Sequence, residues 1–292
     1  MKQKLLVTGA SGFLGWTLCQ VAQPYWQIYG TYATHGAKIP GVSQVKADLQ
    51  DLPSLRHLLT EIKPDAIIHL AALSRPNYCQ THPQESYNIN VLGSCAIADY
   101  CATVKIPCVF TSTDLVFDGT NPPYRETSPP SPVSLYGEHK LLAEEGMLQR
   151  YPQTAICRMP LMFGEASPTS YSFLQPFLQQ FREGQALRLF YDEYRMPVSA
   201  TTAARGLLLA LEKVQGYVHL GGKERLSRYE FGELMAEVFH LSREQITRCS
   251  QKDVPMAAPR PADLSMDSSL AFGLGYNPPS VKAALMELRG KV

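Results

Sequence analysis

The first 47 residues of this chain contain neither aspartate nor glutamate, although 26 acids occur in the full 292. Cysteine occurs seven times, never in CxxC or CxH spacing, and the seven histidines are dispersed. That scatter excludes the usual zinc frameworks, so no metal is expected. The odd cysteine count points to reduced thiols in a reducing, cytoplasmic setting. No apolar run approaches the roughly 18 residues of a membrane span, and MKQKLLVTGASGFLG enters a strand pattern without a signal-peptide cleavage region. Excess charge is also lacking: the formal net charge is +1 with no basic run, which argues against nucleic acid as a partner. What is present is a chain with 45% apolar and 18% charged residues, the balance of a globular protein with a sizeable core. Its length suits one large domain or two interlocked ones.

Short β-rich runs alternate with helical patterns. LLVTG (5–9), WQIYGTYAT (26–34), IIHLAA (67–72), CVFTS (108–112) and AICRM (155–159) read as buried parallel strands. Helices are predicted over 12–23, 53–62, 83–102 and 135–150, the second opening with Pro53 in its first turn. The alternation predicts an α/β fold, a doubly wound parallel sheet of the Rossmann kind. The segment 117–134 carries five prolines and reads as a long ordered loop. Further helices are expected over 172–184, 201–213 and 228–241. We read 1–160 with 201–222 as a dinucleotide-binding domain. A smaller α/β substrate-binding domain is expected from 161–200 with 223–292.

TGASGFLG (8–15) follows the first strand and opens the first helix. Gly9, Gly12 and Gly15 form a GxxGxxG variant of the dinucleotide fingerprint. The first glycine allows the tight turn, the second lets a pyrophosphate approach the backbone, and the third lets helix and strand pack closely. Free N–H groups at the helix start then face the anion. An NAD-preferring site places an acid about 20 residues later, on the ribose diol. Here Thr34, His35 and Lys38 occupy that region. None would repel a 2′-phosphate, so NADP(H) is the preferred cofactor, with NAD(H) still accommodated. His35 and Lys38 equally suit a solvated loop. Asp48, the first acid, either accepts from the adenine amino group or caps the following helix.

CVFTSTDLVFDG (108–119) brings Ser112, Thr113 and Asp114 to the carboxyl end of the fourth main strand, the edge where open α/β sheets bind ligands. In SLYGEHKLLAE (134–144), Tyr136 and Lys140 stand four residues apart on one helix face. A reductase must protonate the oxygen that forms as hydride reaches a carbonyl. Lys140 is expected to lower the Tyr136 pKa from its usual value near 10, and Thr113 to orient the carbonyl.

TGASGFLG, ADL, HLAA, STDLVFDG, YGEHK and RPADLSMD, in that order, resemble the extended short-chain dehydrogenase/reductase superfamily, and within it the dTDP-4-dehydrorhamnose reductase family. The resemblance implies that Thr113, Tyr136 and Lys140 are catalytic. It implies cofactor contacts from Gly9, Ser11, Gly12, Phe13, Leu14, His35, Asp48, Leu49, Ala71, Ala72, Asn90, Ser112, Tyr136 and Lys140. Substrate contacts would come from Thr113, Asp114, Val116, Phe117 and Arg260, the last binding a phosphate or pairing with an acid. Arg158, in RMPLMFGE, is expected to be structural. A long stretch, DLVFDGTNPPYRETSPPSPVSLYG, also resembles the regulatory β subunit of methionine adenosyltransferase. Three functions follow: an NADP(H)-dependent reductase of a keto group, such as that of a 4-keto sugar nucleotide; a non-catalytic NADP-binding regulatory subunit; and a sugar-nucleotide epimerase. Leu115 replaces the acid that dehydratases of this group carry, which argues against β-elimination. Oligomeric state is left open, a homodimer included.

Overall fold

Runs of β-branched and other apolar residues, buried on both faces, form the centre of the molecule. In a computed structural model, which describes residues 2–292, β1 (Lys4–Thr8), β2 (Gln27–Tyr32), β3 (Val42–Lys46), β4 (Ala66–His69), β5 (Cys108–Thr113) and β6 (Ala155–Met159) join a seventh strand, Gly216–His219. The sheet runs in the order Gly216–His219, β6, β5, β4, β1, β2, β3, and every neighbouring pair is parallel. Every residue of β4, β5 and β6 is buried, as expected for central strands covered on both sides. The strand order reverses between β1 and β4, so the loops leaving their carboxyl ends open a crevice.

Helix α1 (Phe13–Ala22) starts directly after the glycine loop, and α2 (Leu52–Ile62) is capped by Asp51, which accepts from Ser54 N at 3.1 Å. Asp48 therefore does not cap this helix; its carboxylate accepts from Gln50 N at 2.9 Å instead. The helix Leu135–Arg150 opens at Ser134, whose hydroxyl accepts from Gly137 N. One expected helix, 83–102, is divided: Pro83–Tyr87 leads into a π-helical turn, Asn88–Gly93, and then into Ser94–Val104. Gly93 sits where a Cβ would lie 2.9 Å from that of Leu49, so this turn presses closely on its neighbour. Widened turns of this kind recur at functional sites.

Apolar clusters cover both faces of the sheet. Leu5, Val7, Leu18, Ala203 and Leu207 belong to one, and Leu6, Ile67, Ile97, Phe110 and Met147 to the other. The helix Ala200–Lys213 packs on α1 before the chain adds Gly216–His219 to the sheet. A third core, around Phe163, Leu178, Leu189, Phe231 and Met235, is built from residues after 160. It lies among the helices Leu174–Arg182 and Arg228–Phe239 and the paired strands Leu187–Phe190 and Ile246–Cys249. The proline-rich loop is tied down rather than free: Tyr124 N donates to Ser265 O, Asp267 N to Tyr124 O, and His219 N to Glu126.

Candidate active site

The crevice at the carboxyl ends of β1 and β4 holds a cavity of about 530 Å³. Gly9, Ser11, Gly12, Phe13, Leu14 and Gly15 form its floor, Tyr32, Ala33, Thr34, Asp48 and Leu49 one end, and Ser112, Tyr136, Lys140 and Met159 the other. Three glycines do three different things here. Gly9 adopts φ +68°, and a Cβ on it would sit 2.9 Å from Ala71 Cα. A Cβ on Gly15 would lie 2.2 Å from the Gly9 carbonyl oxygen, which explains the close seat of α1 against the loop. Gly12 meets only the Gly9 oxygen, at 3.2 Å, so a side chain there would project into the cavity instead. No side chain caps α1, and its first N–H groups remain available for an anion. The floor therefore fits a dinucleotide pyrophosphate.

The wall after β4 is held by two buried networks. Asn90 accepts from Leu73 N at 2.9 Å and donates to Leu73 O at 3.0 Å and to Ser86 at 3.2 Å. Asn90 is itself only 1% exposed and does not line the cavity. It fixes the wall and does not touch the cofactor space, which corrects its expected role. Beneath, Thr8 Oγ1 accepts from Leu70 N and Ala71 N, so its proton goes to His69 Nδ1 at 2.6 Å. His69 Nε2 then donates to Ser94, and Ser94 donates to Asn90 O. Burial, reinforced by Lys140, pushes the His69 pKa down to about 3, so the ring is neutral and both its nitrogens are paired, with Thr8 and Ser94.

At the other end Tyr136 and Lys140 are buried along the same helix face. The Lys140 ammonium donates to Thr111 O at 2.6 Å and lies 3.8 Å from the Phe110 ring centre. Burial lowers the Lys140 pKa to about 7, opposed by Glu144. Tyr136 differs from the expectation of an acidified phenol. Burial raises its pKa, Cys79 and Asp114 add to the rise, and the Thr113 hydroxyl opposes it. Desolvation dominates, and Lys140 does not offset it: its ammonium is directed at the Thr111 carbonyl. The phenol is thus kept protonated.

Other expected residues are placed differently. His35 is exposed and lies outside the cavity lining, which stops at Thr34. Val116 and Phe117 are fully buried, with Phe117 stacked on Tyr124 at 4.2 Å in a core that includes Leu264. Two apolar residues at a strand end pack inward here rather than facing a ligand. Thr113 and Asp114 are buried beside Tyr136 and outside the cavity lining. Arg260 pairs with Glu193 at 3.3 Å, so of its two expected roles the ion pair is the one formed. Arg158 donates two hydrogen bonds to Glu144, at 3.1 and 2.7 Å, fully inside the protein.

Sequence reasoning missed Ser74 and Arg75 on the wall after β4, and Ser170 and Tyr171 across the crevice. Ser167 and Thr169 both donate to Ser11 O, at 3.1 and 2.6 Å, strapping this distant loop onto the glycine turn. More than 150 residues separate the partners, and no local pattern announces the contact.

A doubly wound parallel sheet, a glycine loop at its switch point and a Thr-Tyr-Lys set at the neighbouring strand end define a dinucleotide-binding α/β fold of the reductase and epimerase kind. Within that class the chain belongs to the RmlD substrate binding domain family, whose model matches residues 3–290. It is 30% identical over 292 residues to methionine adenosyltransferase 2 subunit beta of Xenopus laevis, covering 95% of this chain and 84% of that one. A crystal structure of a hypothetical dTDP-4-dehydrorhamnose reductase from Sulfolobus tokodaii superposes with a TM-score of 0.85 at 30% identity, covering 96% of this chain and 98% of that one. The dTDP-4-dehydrorhamnose reductase from Bacillus anthracis, crystallised with NADP, shares the fold at a TM-score of 0.89 and 21% identity, each chain being covered in full.

Proposed function

We propose that this chain is an NADP(H)-dependent reductase of a keto group, with a 4-keto sugar nucleotide as its substrate class. The observation that carries the reading is a cavity lined both by the glycine loop and by Tyr136 and Lys140. When bound, the dinucleotide would supply the hydride. Tyr136 gives its proton to the carbonyl oxygen, and a phenol held protonated by burial is in the right state for reduction. Thr113 steadies that oxygen, and Lys140 holds the ribose hydroxyls near the phenol. Preference for the 2′-phosphate rests on the end of β2: Tyr32, Ala33 and Thr34 line the cavity there, and Asp48 is the only carboxylate lining it among the described residues. NADPH oxidation with a panel of dTDP- and GDP-linked keto sugars tests the proposal. Turnover on at least one is expected, and tight NADPH binding without turnover on any would overturn it.

A second reading follows from the likeness to the methionine adenosyltransferase subunit over 95% of this chain. A non-catalytic NADP-binding partner would co-purify with a methionine adenosyltransferase and change that enzyme's kinetics, and Tyr136→Phe would leave the effect intact.

A further inference from the structure

Charged side chains from four separate segments meet behind Thr113. Asp114 is 4% exposed; its Oδ1 accepts the Thr113 hydroxyl at 3.2 Å, and its Oδ2 has no hydrogen-bond partner. The nearest cation is Arg195, whose Nε lies 3.7 Å from that bare oxygen. Arg195 is fixed by its other nitrogens, which donate to Tyr194 O at 2.6 Å and Pro261 O at 3.2 Å. Behind it Glu193, 1% exposed, takes Arg228 at 3.0 Å and Arg260 at 3.3 Å. A buried carboxylate oxygen left without a donor is costly, and a catalytic role is one reason such a group persists.

Thr113 Oγ1 has one proton and two lone pairs. One lone pair accepts Leu115 N–H at 3.2 Å. While Asp114 is ionised, it takes the threonine proton. Once protonated, Asp114 can donate to the second lone pair, and the threonine proton becomes free for a ligand oxygen beside Tyr136. We propose that Asp114 is a positioning residue that sets the direction of the Thr113 hydroxyl, and that Arg195 governs its protonation by docking a cation against it. The inference deepens the reductase reading and rests on it for its effect on rate. Burial pushes Asp114 up to about 6; Arg195 and the Thr113 hydroxyl oppose the rise, Glu193 adds to it and Arg228 opposes it, with the Tyr136 phenol also close by. The switch therefore works within reach of neutral pH.

Two measurements test this together: the pH profile of kcat for keto-sugar reduction, and the carboxyl ¹³C titration of Asp114, assigned by its loss in Asp114→Asn. Wild-type kcat should gain a limb that rises as pH falls through the Asp114 titration. Asp114→Asn, whose amide N–H donates to Thr113 permanently, should lose the limb and stay near the low-pH wild-type rate. Arg195→Gln should move the titration and the limb up by about one unit or more, whereas Arg195→Lys, which keeps the charge, should move them less. Should Arg195→Gln fail to fold, Asp114→Asn and Arg195→Lys decide the matter. A limb that persists in Asp114→Asn, or a titration indifferent to the charge at 195, would overturn the inference. Absence of turnover on every substrate, with the titration still shifted in Arg195→Gln, would overturn the reductase reading and leave the Asp114–Arg195 coupling standing.

Discussion

Lys140 sets its ammonium 2.6 Å from the carbonyl oxygen of Thr111, and its side chain is almost wholly buried. The burial that lowers its pKa from 10.5 to about 7 has a consequence for stability. Between those values the unfolded chain holds the proton more often than the folded one, so folding stability from this group rises with pH across that window. The urea midpoint should therefore increase from pH 7 to pH 9. In Lys140→Met that increase should be smaller, while NADPH affinity and turnover both fall. An equal slope in the variant would show that the lysine keeps its proton on folding.

Tyr136→Phe removes the proton donor and leaves the cavity lining almost unchanged. We expect kcat to fall by about 10²–10⁴, the usual share of general acid catalysis, with the NADPH dissociation constant little altered. Stopped-flow reduction and fluorescence titration measure the two quantities separately. Unchanged turnover would remove the phenol from the proton path.

Gly12 and Gly15 should separate binding from folding. Gly12→Val places its side chain in the cavity, so NADPH binding should weaken by about tenfold or more, or ~1.4 kcal/mol, at a smaller cost in stability than a substitution at Gly15. Gly15→Ala puts a Cβ 2.2 Å from the Gly9 carbonyl and should lower the unfolding free energy by about 1–3 kcal/mol. Thermal melts with and without NADPH distinguish the two patterns.

Glu144→Gln leaves Arg158 buried without its counter-charge, wedged between Phe117 and Tyr217. Breaking one side of such a pair costs about 3–5 kcal/mol. Denaturant unfolding should register a loss of that order, and a loss below ~1 kcal/mol would mean that water reaches the arginine.

Much of the architecture could be read from local pattern. The boundaries expected for the helix 135–150 and the strand 155–159 coincide with Leu135–Arg150 and Ala155–Met159, because a Ser134 cap and a mostly apolar, fully buried strand leave little choice. The glycine loop was equally legible, since its spacing encodes backbone geometry. The π turn at Asn88–Gly93 was not, because helical periodicity carries no mark of one widened turn. Val116 and Phe117 misled for a related reason: proximity to Thr113 in sequence says nothing about which way a side chain packs. The pairing of Asp114 with Arg195 spans 81 positions and depends on the folded junction alone. Tyr136 and Lys140 were recognisable as a pair, but the balance between desolvation and charge needed the surrounding atoms.

The outermost strand, Gly216–His219, lies in register with Ala155–Arg158 only after the chain has laid down the first part of the third core. A fragment ending near residue 160 would present β6 as a raw border, its hydrogen-bonding groups open to any other chain. Such a piece should clump rather than stand alone. The two halves are thus woven together, and this protein cannot be recombined like a cassette: swapping its later half for another specificity means carrying residues 200–219 along or rebuilding the margin of the sheet.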